Sequence, residues 1–252
     1  MSADYQPGAA PPETALLDAI VSPFLAGDEE KLWLDYLDRN MQPGNRLRDF
    51  RRETRRVKRL LRGQCDPQAL LDGACMRLVE DAGGKGTYSG QLLSSLVQAL
   101  YETGANRLTL DVRRMQHRPF DLLDDLAGSE REPLRLTCFA DGALSVAGNV
   151  EHCVLDLSSD DGLVFAGCDA SSSRISLHGE VDEAGKRAAG CDFSLDSLSA
   201  VSSDRNRDCS YYVARTSGSP KRLAAYKRLR KDGFFRRNTL YLPRDGEWVE
   251  FH

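Results

Sequence analysis

The chain has 252 residues, of which 41% are hydrophobic, 8% aromatic and 29% charged, with a formal net charge of −4. That length holds one large domain or two small ones, and the apolar and aromatic content excludes wholesale disorder. The longest apolar stretch, Leu16 to Ala26, is interrupted by Asp18 and falls short of the ~20 residues that span a bilayer. The first ten residues lack a basic segment, so no signal peptide is expected. Seven cysteines, an odd number, come without a C-x-x-C pair and without closely spaced histidines. This usage fits a cytoplasmic, reducing setting rather than a disulfide framework or a zinc ribbon.

Residues 1–12 are small, polar and proline-bearing and read as a disordered lead. A helix is expected after Pro12, with Leu16, Leu17, Ile20 and Val21 on one face and Pro23 kinking or ending it. Asp28 is placed to cap a second helix, in which Leu32, Trp33, Tyr36 and Leu37 are spaced as a buried stripe. Pro43-Gly44 breaks that helix. Between Asn45 and Arg62 a third follows, with Leu47, Phe50, Thr54, Val57 and Leu61 on its apolar face and arginine over most of the rest. Asp66-Pro67 opens a helix to about Val79. Gly83-Gly84 and Gly86 form a loop, and Ser89 caps a helix that Gly104 stops.

The apolar period then changes from 3.6 to 2. Arg107 to Val112 alternates as a strand, and a short helix is expected from Pro119 to Leu126. Beyond it lies an internal repeat. Leu136/Cys138, Leu155/Leu157, Ile175/Leu177, Phe193/Leu195 and Tyr211/Val213 recur at intervals of 19, 20, 18 and 18 residues. A weaker element sits between them, Val146–Val150 matching Val164–Cys168. This interval is too short for a strand–helix–strand crossover and suits one coil of a parallel β-helix, whose equivalent residues stack at the strand spacing. An antiparallel sandwich is the competing reading. The copies align in phase, which favours the solenoid. Pro220–Arg230 then reads as a helix, and Thr239–Leu242, Asp245-Gly246 and Glu247–Phe251 as a closing hairpin. The expected fold is α+β. A helical cap (13–106) covers a short right-handed parallel β-helix (107–216), closed by a C-terminal helix and β-hairpin (217–252).

Small residues and glycine precede the strands, as in Gly148–Cys153, Gly167–Ala170 and His178–Val181. Over about residues 134–213 this pattern resembles the glycine-repeat parallel β-helix found in the C-terminal domain of glutamate synthase and in formylmethanofuran dehydrogenase. It also looks like uncharacterised archaeal proteins with a helical head. The resemblance implies a fold used as a structural spacer, without catalytic residues.

The net charge conceals a segregation. Residues 46–62 hold nine Arg/Lys and two acids, residues 221–237 hold eight and one, and the rest of the chain is left at −18. Arg51, Arg52, Arg55, Arg56, Arg59 and Arg62, with Lys227, Arg228, Arg230 and Lys231, fall at helical spacing outside the apolar stripes and are the candidate nucleic-acid contacts. Phe234 and Phe235 beside Arg236 and Arg237 offer stacking on a base. The alternatives are docking of these helices on the acidic body, a protein partner, or an acidic membrane surface, the last disfavoured because the apolar faces are committed to the core.

Other candidates have bland readings. Cys153, Cys191 and Cys209 share one repeat position, a soft-metal or redox ladder in form but core packing by parity. His152 and His178 lie in turns near Cys168 and read as surface residues. Gly83–Thr87 lacks the spacing of a phosphate loop. Asp156, Asp160 and Asp161 could serve carbohydrate cleavage, but Asp160-Asp161-Gly162 is equally a turn. No metal or cofactor is implied. The leading reading is a non-catalytic scaffold or interaction protein, with nucleic-acid (RNA) binding as the alternative.

Overall fold

The computed structural model describes residues 12–61, 65–115, 117–140, 144–160, 162–197, 200–215 and 220–251. The head consists of α1 (Pro12–Leu25), α2 (Glu29–Met41), α3 (Pro43–Leu60), α4 (Pro67–Asp81) and α5 (Gly90–Glu102). Capping follows the residue chemistry at two starts. Asp28 accepts from the Lys31 amide at 3.2 Å, and Asp66 accepts from the amides of Gln68 and Ala69 with Pro67 in the first turn. The remaining sequence-predicted boundaries shift. Pro43 opens α3 instead of separating two helices, because a first-turn residue needs no amide proton. Gly83–Tyr88 winds as a 3₁₀ helix, and the Ser89 hydroxyl donates back to the Gly86 carbonyl instead of capping α5. The stripe expected on α2 is only partly buried: Leu32, Tyr36 and Leu37 are half-buried, while Trp33 stays 41% exposed and packs against Tyr36 with ring centroids 5.7 Å apart. Residues 1–11 and Arg62 lie outside the described residues.

From Arg107 onward the chain forms a β-solenoid of about four turns. One side is an eight-stranded sheet in the order β1 (Arg107–Asp111), β2 (Leu134–Ala140), β4 (Cys153–Ser159), β6 (Arg174–His178), β8 (Asp192–Ser197), β9 (Ser210–Arg215), β10 (Thr239–Arg244) and β11 (Glu247–Phe251). The strands pair in parallel except β10 with β11. A second side is β3 (Leu144–Val146), β5 (Leu163–Ala166) and β7 (Val181–Ala184). The third is a ladder of single bridges through Ala127, Glu151, Ser171, Ala189 and Arg207. The inward columns are those read from the repeat. Leu136, Leu155, Ile175, Phe193 and Tyr211 form one, and Cys138, Leu157, Leu177, Leu195 and Val213 the other. Both begin one coil earlier, at Leu108 and Leu110.

Two expectations fail inside the repeat. Residues 119–126 are not helical: Asp121, Leu123 and Asp125 have positive φ, and Leu122 bridges Val146. Their leucine spacing reflects a corner that buries Leu122, Leu123 and Leu126 together. The weaker repeat element is also out of register by two residues, since Val146 pairs with Ala166 and not Val164. Leu144 pairs with Leu163 and Ser145 with Phe165, so β5 carries one extra residue at this point.

The widest rungs dictate their opposite wall. Phe193 and Tyr211 stack with centroids 5.0 Å apart, and Phe234 closes over Tyr211 at 5.3 Å. A Cβ on Gly185 would lie 2.5 Å from the Tyr211 hydroxyl and 2.9 Å from Phe193, and Gly185 also has φ +73°. At the first coil the free edge of β1 is closed by one side chain. Gln68 donates from Nε2 to the Thr109 carbonyl at 2.7 Å and accepts from the Thr109 amide at 2.9 Å, as a neighbouring strand would. At the last coil α6 (Pro220–Lys231) packs through Ala225 and Leu229.

Gly185→Ala is expected to lower stability by about 2 kcal/mol or more, from left-handed strain plus overpacking, read by urea denaturation. Gln68→Ala is expected to lose about 1 kcal/mol and to expose the β1 edge, which light scattering would register as new concentration-dependent association.

Candidate nucleic-acid interface

The basic helix α3 is held in place from both ends. Phe50, Thr54, Val57 and Leu61 recur at three and four residues and are buried, with α3 packing mainly on α5. At its N-terminal end Arg46 reaches the first corner of the solenoid. Its Nη1 lies 3.2 Å from Asp124 Oδ2 and its Nη2 3.1 Å from Asp125 Oδ1. Nε is as close to Asp125, at 3.1 Å, but too poorly aligned to count as a hydrogen bond. The carboxylates are tied in turn to the next coil, Asp124 accepting from the Gly148 amide at 2.6 Å and Asp125 from Asn149 Nδ2 at 2.8 Å. Burial drives the Asp124 carboxyl well above its ordinary range, with Asp121 reinforcing the shift and Arg46 and the Gly148 amide opposing it. Burial also works against the charge on Arg46, yet Asp124, Asp125 and Asp121 together hold its pKa above the ordinary value.

Arg56 is structural as well. Pro23 sits inside α1 and has no amide proton to give the Ala19 carbonyl. Arg56 supplies that donor, Nη1 to Ala19 at 2.9 Å, and also donates from Nη2 to the Ile20 carbonyl at 2.8 Å, while Glu53 neutralises it at 2.6 Å. Half of the docking expectation is thus met: part of the basic run binds the body of the protein.

The rest does not. Arg48, Arg52, Arg55, Lys58 and Arg59, with Leu61 and Thr103, line an open groove of about 870 Å³ beside α3. Residues 48, 52, 55 and 59 follow successive helical turns and span about 16 Å of axis. The Arg48 and Arg52 side chains are 68% and 77% exposed and share the single carboxylate of Asp49, at 3.7 and 3.3 Å. Lys58 is paired with Glu102 at 2.8 Å. Arg55 and Arg59 are exposed, donate through Nε to the carbonyls of Arg51 and Arg55, and have no carboxylate partner among the described residues. Arg51 and Arg55 also border an adjoining cleft of about 400 Å³ that runs to Asn149, Glu151 and Ser171 on the solenoid. Arg48 and Lys58 were missed from sequence. Both belong to the same basic run, and only the placement of α5 decides which side of α3 becomes a groove.

The second basic run does not converge with the first. Lys227, Arg228, Arg230 and Lys231 are carried on α6, at the other end of the coil stack, and Arg228 donates to the Val201 carbonyl at 2.7 Å. The expected stacking pair is not available there. Phe234 is fully buried against Tyr211, and Phe235 is half-buried against Tyr226 and Phe234.

The remaining candidates separate. Cys153, Cys191 and Cys209 do share one column, with Ser173 between the first two and Asn238 beyond the last. All three are buried and free, and burial pushes the Cys153 thiol up to about 12. His178 lies 2.9 Å from Asp156, while His152 stands beside Glu151 at 3.8 Å, so each histidine has its own carboxylate. Asp160 is exposed and Asp161 lies outside the described residues. Lys85 donates to the Leu25 carbonyl at 2.8 Å and so closes the end of α1. Among the described residues no group of three His, Cys, Asp or Glu side chains is arranged to hold a metal ion, and no helix is long and apolar enough to cross a membrane. No protein-family model matches the chain, and no curated protein or solved structure gives a significant match.

Arg46→Met is expected to cost about 3 kcal/mol at neutral pH, because it strands two carboxylates in a site built around their counter-charge. Asp124 has its folded pKa above the unfolded value, so its contribution to stability is complete below the ordinary carboxylate pKa and is lost as pH rises through the folded one. Without Arg46 that loss deepens. The gap between wild type and Arg46→Met should therefore widen as pH rises from the ordinary carboxylate range toward neutrality, as measured by urea denaturation at several pH values.

Proposed function

We propose that the protein is a non-catalytic binding scaffold in which the solenoid carries α3, and that the arginine groove beside α3 takes the phosphate backbone of a nucleic acid. The observation that carries this reading is the row Arg48, Arg52, Arg55 and Arg59 on one groove, with Arg55 and Arg59 unclaimed by any carboxylate among the described residues. Guanidinium groups on successive turns release counterions from a polyphosphate and can engage its oxygens in pairs. The acidic remainder of the chain, at −18 outside the two basic runs, favours contact on this face over contact elsewhere by repelling the same polyanion. Phosphate contacts position a ligand without reading its bases, and Phe234 is buried. The expected binding is therefore weakly sequence-dependent and strongly salt-dependent.

Fluorescence anisotropy with RNA and DNA oligonucleotides of equal length, across a salt series, tests the reading. Arg55→Glu with Arg59→Glu should weaken binding more than about tenfold and lower the slope of log affinity against log salt by about 2. Thermal stability should stay near that of wild type, since neither head group holds a carboxylate. Absence of binding at low salt, or an unchanged slope in the double variant, rejects the proposal. Equal competition by polyglutamate would move the reading to an acidic protein segment.

A further inference from the structure

The two edges of the long sheet are treated differently. The β1 edge is occupied by the Gln68 amide. The other edge is β11, which pairs only with β10 among the described residues. Its side chains continue the pattern of the solenoid after the solenoid has ended. Val249 and Phe251 pair with Leu242 and Leu240 of β10, so they carry the inward columns one strand further. There they are left 42% and 37% exposed, and Trp248, on the opposite face beside Tyr212, is 48% exposed. An unpaired strand edge bearing three large apolar side chains is a template for another strand.

We propose that this edge joins a second copy of the chain, β11 to β11, antiparallel about a two-fold axis through Val249. Three arguments select this occupant. First, the hydrogen-bonding edge of a strand is self-complementary in the antiparallel sense, so one surface serves both copies. Second, such a two-fold axis stands perpendicular to the sheet and keeps its faces continuous, so a residue can oppose only residues of its own face. Registers centred on Glu247 or on Glu250 set like charges directly against each other. The register centred on Val249 pairs all five residues of β11, sets Glu247 opposite Phe251 and Trp248 opposite Glu250, and brings Val249 against Val249. Third, Gln68 blocks the β1 edge, so head-to-tail stacking into a filament has no acceptor and the association closes at two copies. The inward columns of the two solenoids would then run on into each other through Val249 and Phe251.

Sedimentation velocity on the full chain, from micromolar to several hundred micromolar, tests this. The expected species has twice the 27.9 kDa mass of one chain. Val249→Lys, which sets two ammonium groups against each other on the axis, should raise the dissociation constant more than about tenfold with unchanged circular dichroism. A second pair of variants guards against misfolding. Val249→Cys should give a covalent dimer on non-reducing gels after mild oxidation with diamide, whereas Glu247→Cys, whose copies would lie far apart across the axis, should not. A single-chain mass at every concentration overturns the proposal. So does a dimer indifferent to Val249→Lys, or equal cross-linking of the two cysteine variants.

Discussion

Everything downstream of residue 107 depends on one constraint: each coil must return its strand to the same backbone register as the coil before. Side chains alternate faces with a period of two, so a slip of one residue would turn an entire inward column out to solvent. The coils here are of unequal length. Leu108, Leu136, Leu155, Ile175, Phe193 and Tyr211 occupy one column although the intervals between them differ. The inequality falls in the turn after each long-sheet strand, since Gly167 follows Leu155 by twelve residues and Gly185 follows Ile175 by ten, whereas the corner that leads into each of these strands keeps a fixed spacing. Asn149, Asp169, Arg187 and Arg205 all adopt positive φ, as do Ala147, Gly167 and Gly185 at the preceding corner position. The left-handed conformation is held at Asn149, Asp169 and even Arg187 by amides that donate to the next coil, Asp169 to the Lys186 carbonyl at 2.8 Å and Arg187 to the Asp204 carbonyl at 2.8 Å.

The same principle of unsatisfied groups sorts the arginines of α3. Where a helix carbonyl or a buried carboxylate lacks a donor, an arginine is drawn in. Arg56 answers the proline inside α1, and Arg46 answers the two aspartates at the first corner. These contacts fix the axis of α3 against both the head and the solenoid. The arginines that remain, on the side away from those demands, are left to solvent and become a groove only because α5 ends at Glu102, with Thr103 forming the far wall. The charge available for a ligand is thus what is left after the fold has satisfied its own polar groups.

The inward columns of the solenoid were legible because each copy repeats both period and phase. The first coil was legible only as a strand and not as part of the columns, since Leu108 and Leu136 stand 28 residues apart, outside the interval of the later copies, and the intervening leucines imitate a helix. Leu122, Leu123 and Leu126 satisfy helical spacing yet sit at a corner, a distinction that depends on φ at Asp121, Leu123 and Asp125 and not on hydrophobicity. At the candidate interface the basic run itself was legible. Its division into structural and exposed arginines was not, because that depends on partners distant in sequence: Ala19 for Arg56, Asp124 and Asp125 for Arg46. The buried Phe234 shows the opposite error. An aromatic beside two arginines looked like a stacking surface, whereas the aromatic column of Phe193 and Tyr211 needed a final rung.

That final rung also explains why the two ends of the stack are closed by different means. At the first coil the core continues directly into α4 and α5, so only the backbone edge of β1 needs an occupant, and one amide side chain placed by α4 suffices. At the last coil the interior is plugged from within. Phe234 covers Tyr211, and Asn238 stands next in the cysteine column, accepting from the Cys209 amide at 3.2 Å and donating to Asn206 Oδ1 at 3.2 Å. This plug satisfies the interior but not the sheet. β10 must still pair with something beyond β9, and the hairpin supplies β11 while moving the open edge one strand outward. A hairpin cap therefore transfers the edge problem instead of removing it, and the apolar residues that β11 inherits from the inward columns mark where it has been transferred.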